Sequence, residues 1–229
     1  MKGGIVALVP FLILFLIILV IPLYNFLRTR SIRSQNNHVV KERGYIEIYI
    51  VYGVVFLIIA LFWGELWNGR LPVDTLPAWS LILFWIIVAY ILLTTVLPLI
   101  LLPFNSTLRE SVRSSYDDRL YPVTGRQLMM FVFVAVTVGI GEEVMYRGFL
   151  MSFAADELSV GQLAACSITA VIFGLSHFMQ GVRGIVNSCL FGFAMGLLTL
   201  MTGSLALPIV IHILYDLKPI LIARSLASK

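Results

Sequence analysis

The chain has 229 residues, of which 60% are hydrophobic and only 12% charged, about half the ~25% charged residues usual in a soluble globular domain. A compact soluble domain must turn part of its surface to water and cannot hide so much apolar surface. Together with a mean hydropathy of +0.98, this excludes an ordinary soluble enzyme, a disordered chain and a nucleic-acid-binding module. It leaves a polytopic membrane protein whose solvent is lipid.

A spanning helix takes roughly 20 mostly apolar residues. In chain order, seven stretches qualify: 5–27, 45–63, 79–104, 127–153, 162–178, 184–201 and 205–223. The apolar runs are continuous rather than alternating, which argues against the strands of a membrane barrel. The expected fold is all-α, a polytopic membrane bundle of about seven transmembrane helices. It divides into an N-terminal three-span region, 1–126, and a membrane core, 127–229, that holds the chemistry. The expected location is the plasma (cell inner) membrane.

The first span is too long for a signal-peptide core, and no A-x-A-like cleavage site follows it. Arg28, Arg30 and Arg33 lie behind it, with only Lys2 in front. That pattern predicts a retained helix with its N-terminus outside. In this orientation Lys2, Arg70 and Arg147 fall outside, and the other thirteen of the 16 Lys and Arg residues fall inside, as the positive-inside rule requires. The bias accounts for the net charge of +4 without a nucleic-acid partner. Membrane lipids are the expected surroundings, and no dedicated polybasic cluster is present. Asn105-Ser106-Thr107 matches a glycosylation acceptor, but on an inside loop the match is accidental. Cys166 and Cys189 lie in apolar runs and form neither a disulfide framework nor a C-x-x-C site.

The first three spans carry few polar groups beyond Glu47, whereas Glu142, Glu143, Arg147, His177, His212 and Asp216 all fall in or beside later spans. An ionisable group in the bilayer costs several kcal/mol unless paired or wetted, so six of them ask for one shared polar site. Glu143 and Arg147, four apart, share a helix face and can pair. Glu142 is rotated by roughly 100° from Glu143 on a regular helix, so the two carboxylates are not expected to reach one spot. One is expected to be held by Arg147 and the other left free to act. His212 and Asp216 are four apart, so the aspartate can orient the imidazole or join it in the site. Phe173 and His177 repeat the spacing, which puts an aromatic ring beside the second histidine. His38 lies in a polar loop and has no expected role. Asn187 reads as interhelical glue, and Ser188, Gly192 and Gly196 as a close helix contact.

Taken in order, Glu142-Glu143-x-x-x-Arg147, Phe173-x-x-x-His177 and His212-x-x-x-Asp216 resemble the three motifs E-E-x-x-x-R, F-x-x-x-H and H-x-x-x-N or D of the CAAX protease and bacteriocin-processing enzyme (CPBP) family of intramembrane proteases. Each motif alone is weak; three in order on separate spans are specific. The resemblance covers residues 127–224. It implies an intramembrane peptidase acting on a membrane-associated peptide or protein, either a prenylated CAAX-type chain or a bacteriocin or signal peptide, with its site open to the cytoplasm.

Peptide hydrolysis needs an activated water, a polarised carbonyl and a proton for the leaving amine. Glu142 is the expected general base. His177 can help hold the water. His212 and Asp216 can donate or relay hydrogen bonds toward the oxyanion, Asp216 only when protonated. A metalloprotease is the alternative chemistry. There, a divalent metal such as zinc would be held by His177, His212 and one carboxylate, although no H-E-x-x-H supports it. Two readings from other classes stand beside the protease. One is an ion- or proton-coupled transporter, which predicts broken helices in two related halves, and no internal repeat is visible. The other is a non-catalytic membrane immunity or scaffold protein. One geometric demand follows from the spans: Glu142 lies about 15 residues into the fourth and His177 at the end of the fifth, so the fourth must be long or the helices staggered.

Overall fold

The computed structural model describes residues 2–35, 38–66 and 76–227; the expected outside positions Asn68 and Arg70 lie beyond these. The described residues form helices and no strand. We number them α1 (Leu8–Gln35), α2 (His38–Leu66), α3 (Ala78–Leu101), α4 (Ser106–Ser115), α5 (Gly125–Glu157), α6 (Gln162–Ser176), α7 (Phe178–Thr202) and α8 (Ala206–Leu226). The helical membrane bundle is as expected. Among the described residues five helices, α1, α3, α5, α7 and α8, are long and apolar enough to cross a membrane. The expected span 162–178 is the 15-residue α6; at ~1.5 Å per residue it reaches about 22 Å, short of the ~30 Å hydrocarbon core.

Local chemistry sets the helix ends. Asn105 accepts from the Leu108 N–H at 2.8 Å and caps α4. Thr124 accepts from the Gln127 N–H at 3.2 Å at the start of α5, and the Gln127 side chain accepts from the Val123 N–H at 3.1 Å. Such side-chain oxygens satisfy N–H groups that the helix leaves unpaired. Gly203 ends α7 in the left-handed region, φ 62°, which glycine enters without a Cβ clash. Outward faces carry exposed Phe11, Leu57, Leu61, Trp85, Val182 and Leu214, and lipid is the solvent that makes this favourable.

Association between helices rests on small residues and a few polar ties, since lipid competes equally for apolar side chains. A Cβ on Gly139 of α5 would lie 2.8 Å from Ile213 Cγ1 of α8, and one on Gly174 of α6 would lie 2.8 Å from the Ile185 carbonyl oxygen of α7. Gly192 sits equally close, a Cβ there falling 3.0 Å from Phe173, so the small-residue stripe is the close contact expected of it. Tyr90 of α3 donates to Asn187 of α7 at 2.8 Å, the interhelical bond read from the sequence. Glu47 of α2 takes Arg28 at 2.6 Å and the Tyr24 hydroxyl at 3.0 Å, both on α1.

The loop before α5 is clasped to the N-terminal helices. Lys41 donates to the carbonyls of Asp118 and Tyr121 at 2.8 and 3.0 Å, and Tyr45 donates to that of Leu120 at 2.7 Å. Arg33 and Arg119 hold the Asp117 carboxylate at 2.9 and 3.0 Å. Burial pushes the Asp117 carboxyl up, but these hydrogen bonds outweigh it and hold it below its ordinary 3.8. His38, given no role from sequence, meets the Gln127 amide at 3.2 Å.

Candidate active site

The depth demand on the fourth span is met by length. α5 runs for 33 residues, and Glu142 lies as many residues before its end as His177 lies after the start of α6. The two helices are joined by a short turn. Both side chains therefore sit about 22 Å from that turn, at ~1.5 Å per residue.

At Val144–Leu150 the α5 backbone opens into a π-helical turn whose seven residues are all buried. Such wide turns recur at functional sites, since they re-aim side chains at the cost of weaker backbone bonds. Arg147 lies within it, 2% exposed. Its Nη1 donates to Glu143 Oε1 at 2.8 Å, its Nη2 donates to the Gly192 carbonyl at 3.1 Å, and its guanidinium stands 4.7 Å from the Phe173 ring centre. The expected Glu143–Arg147 pair is present, and α7 completes it with a backbone carbonyl.

His212 of α8 is 3% exposed. Its Nδ1 lies 2.6 Å from Glu143 Oε1. A carboxylate already paired with arginine accepts, so Nδ1 donates. Glu143, not Asp216, thus orients this imidazole. Asp216 Oδ2 stands 3.7 Å from Nε2, and Glu142 Oε2 stands 3.6 Å from the same nitrogen. The two glutamates diverge as expected, with Glu143 held by Arg147, yet both meet this one ring. They address opposite nitrogens of one ring, which lets side chains roughly 100° apart converge.

Glu142 is not free of partners either. Tyr52 of α2 donates to its Oε1 at 2.8 Å. Its Oε2 is buried and has no hydrogen-bond partner. Sequence reading passed over Tyr52 because a tyrosine in an apolar span reads as packing. The available signal was the spacing of Tyr45, Tyr49 and Tyr52, which share one helix face. All three hydroxyls donate: Tyr45 to the Leu120 carbonyl, Tyr49 to that of Met130 and Tyr52 to Glu142.

His177 follows α6. Its Nδ1 lies 2.8 Å from the Phe173 carbonyl oxygen and 3.2 Å from Ser176 Oγ. A carbonyl only accepts, so Nδ1 carries a proton and the neutral ring keeps its lone pair on Nε2. Its ring stands 4.6 Å from that of Phe173, the aromatic neighbour expected. Two cavities, of about 490 and 350 Å³, both reach Glu142 and His177, and share Tyr121, Val134, Val138 and Gln180 as well. The larger runs along α1 and α2 past Asn25, Arg28 and Asp117; the smaller holds His212 and Asp216. Tyr121, on the loop between them, has its hydroxyl pushed up by burial and by the Asp117 carboxylate. The structure thus brings Glu142, Glu143, Arg147, His212 and Asp216 into direct proximity and sets His177 on the cavities that Glu142 lines.

Among the described residues no three His, Cys, Asp or Glu side chains are grouped to hold one ion. Glu143 holds His212 Nδ1 and a carbonyl holds His177 Nδ1, which leaves Nε2 of each neutral ring as the acceptor.

Residues 124–217 match the family model described as type II CAAX prenyl endopeptidase Rce1-like. No curated protein and no solved structure matches the chain. The matched stretch holds all three motifs and every ionisable side chain of the composite site. Over residues 124–217 the chain is thus similar to the type II CAAX prenyl endopeptidases of the Rce1-like family, and this similarity is consistent with the CPBP resemblance of its three motifs.

Proposed function

We propose that the protein is an intramembrane endopeptidase that hydrolyses a peptide bond of a membrane-associated substrate through a water activated by Glu142. The observation that carries this reading is Glu142 Oε2, buried and without a hydrogen-bond partner, where two cavities meet beside His177 and 3.6 Å from His212 Nε2. An acceptor in that position is held ready for a water.

The chemistry then balances as follows. Glu142 takes a proton from water while His177 Nε2 accepts the second hydrogen and holds the molecule in line. The water oxygen bonds to the scissile carbonyl carbon, whose oxygen becomes the oxyanion. Asp216, when protonated, donates to that oxyanion. The proton on Glu142 passes to the amide nitrogen, the C–N bond breaks and the carbonyl re-forms. His212 Nε2 lies between Glu142 and Asp216 and can move a proton from one to the other. Glu143 holds the His212 ring in place, and Arg147 neutralises Glu143. General acid–base help of this kind contributes about 10²–10⁴-fold each.

The larger cavity supports access from the inner side: Arg28, Arg33, Ser115 and Asp117 line it, and they come from the segments that the positive-inside rule places in the cytoplasm. The family suggests a prenylated CAAX-type chain as substrate; a bacteriocin or signal peptide is the other class it offers. The plasma (cell inner) membrane is the proposed location. A purified sample is assayed on a prenylated CAAX peptide and on unprenylated membrane peptides, beside its Glu142→Gln variant. Turnover of one class, lost in the variant, supports the reading. Turnover unaffected by Glu142→Gln, or none on either class, overturns it and leaves the transporter or the non-catalytic immunity protein.

A further inference from the structure

The matched stretch begins at residue 124, which leaves the first three long helices without an assigned part in the chemistry. One contact crosses that boundary into the site. Tyr52 of α2 is 4% exposed and donates its hydroxyl to Glu142 Oε1 at 2.8 Å across 90 residues of chain. Asn25 of α1 lines the same cavity as Tyr52. The Tyr52 ring is seated on Gly141, where a Cβ would come within 2.7 Å of its Cδ1. The phenol is thus fixed from two sides: Gly141 beneath the ring and Glu142 in front of the hydroxyl.

A carboxylate has two oxygens and a soft terminal torsion. With Oε1 taken by Tyr52, rotation is stopped, and Oε2 is the oxygen turned toward His212 Nε2 and left without a partner. We infer that Tyr52 is a positioning residue of the peptidase site, and that α2 completes the machinery by aiming the Glu142 oxygen that takes the water proton. This rests on the peptidase reading above. A reacting group displaced by about 1 Å can cost on the order of 10²-fold. Binding of the peptide elsewhere in the cavities does not depend on this hydroxyl.

Tyr52→Phe keeps the ring on Gly141 and removes only the hydroxyl. The expected result is a kcat lowered by about 10–100-fold, a KM within about two-fold of the parent and an unchanged melting temperature. p-Aminophenylalanine at position 52, which restores an N–H donor at the same place, is expected to recover most of the lost kcat. Glu142→Gln in the same assay separates the two claims. If Glu142→Gln is dead while Tyr52→Phe turns over at the parental rate, the positioning role is wrong and the peptidase reading stands. If Glu142→Gln is as active as the parent, the reading itself falls. A Tyr52→Phe protein that melts early and is not recovered by the amino analogue shows a merely structural phenol and also overturns the inference.

Discussion

Arg147→Ala tests whether the site's stability and its chemistry reside in different glutamates. Arg147 is 2% exposed and Glu143 fully buried, with 2.8 Å between Nη1 and Oε1. Truncation leaves Glu143 as a buried carboxylate with His212 as its remaining partner. Breaking such a pair by removing one member costs roughly 3–5 kcal/mol, because a buried charge is left uncompensated. The Gly192 carbonyl also loses its donor, and the cation over Phe173 is gone, so the upper half of that range is expected. For a chain of this length each kcal/mol moves Tm by about 2–4 °C, which sets the fall at about 8–20 °C. The assay is a thermal melt in detergent of the parent, Arg147→Ala, Glu143→Gln and Glu142→Gln. The first two variants are expected to melt early, Glu143→Gln losing turnover as well because it releases His212. Glu142→Gln is expected to melt with the parent and to be inactive. An Arg147→Ala protein melting within about 2 °C of the parent, below the least shift this reasoning allows, would show the pair to be dispensable and refute it.

Other expectations follow from the same geometry. His177→Ala and His212→Ala are each expected to abolish turnover, with the double variant little worse, since groups acting as one unit are not additive; multiplying losses would argue for separate roles. Asp117, held below its ordinary 3.8 by Arg119 and Arg33 against burial, stabilises the loop clasp at every pH above that value. The contribution is lost as pH falls below 3.8 through its lowered folded value; melting curves run against pH should show less acid sensitivity in Asp117→Asn. Cysteines placed at Ser31 and Ser114 are expected to react with membrane-impermeant reagents only from the cytoplasmic side, and labelling of position 114 from outside would invert the topology.

Much of this molecule is legible without coordinates because the bilayer is a severe solvent. It forces backbone hydrogen bonds to close within each segment, so long apolar runs announce helices, and it makes each buried charge expensive, so Glu142, Glu143, Arg147, His212 and Asp216 stand out against an apolar background. Spacing within one helix is local information, which is why the Glu143–Arg147 pair and the Phe173–His177 ring contact are as expected. What the chain order could not show was of another kind. Glu142 and Glu143 diverge as a regular helix requires, and the fold seats one imidazole so that each carboxylate meets a different nitrogen. Asp216, four residues away, was one candidate to orient His212, but Glu143, 69 residues away, holds it at 2.6 Å. Tyr52 carried no charge to betray it, and its partner lies 90 residues on. Helix periodicity and the cost of burying charge are properties of neighbouring residues and can be read along the chain. Which side chain closes on which across the bundle depends on close helix contacts that leave no room for a Cβ, such as Gly139 on Ile213 and Gly141 on Tyr52, and these exist only once the tertiary structure has formed.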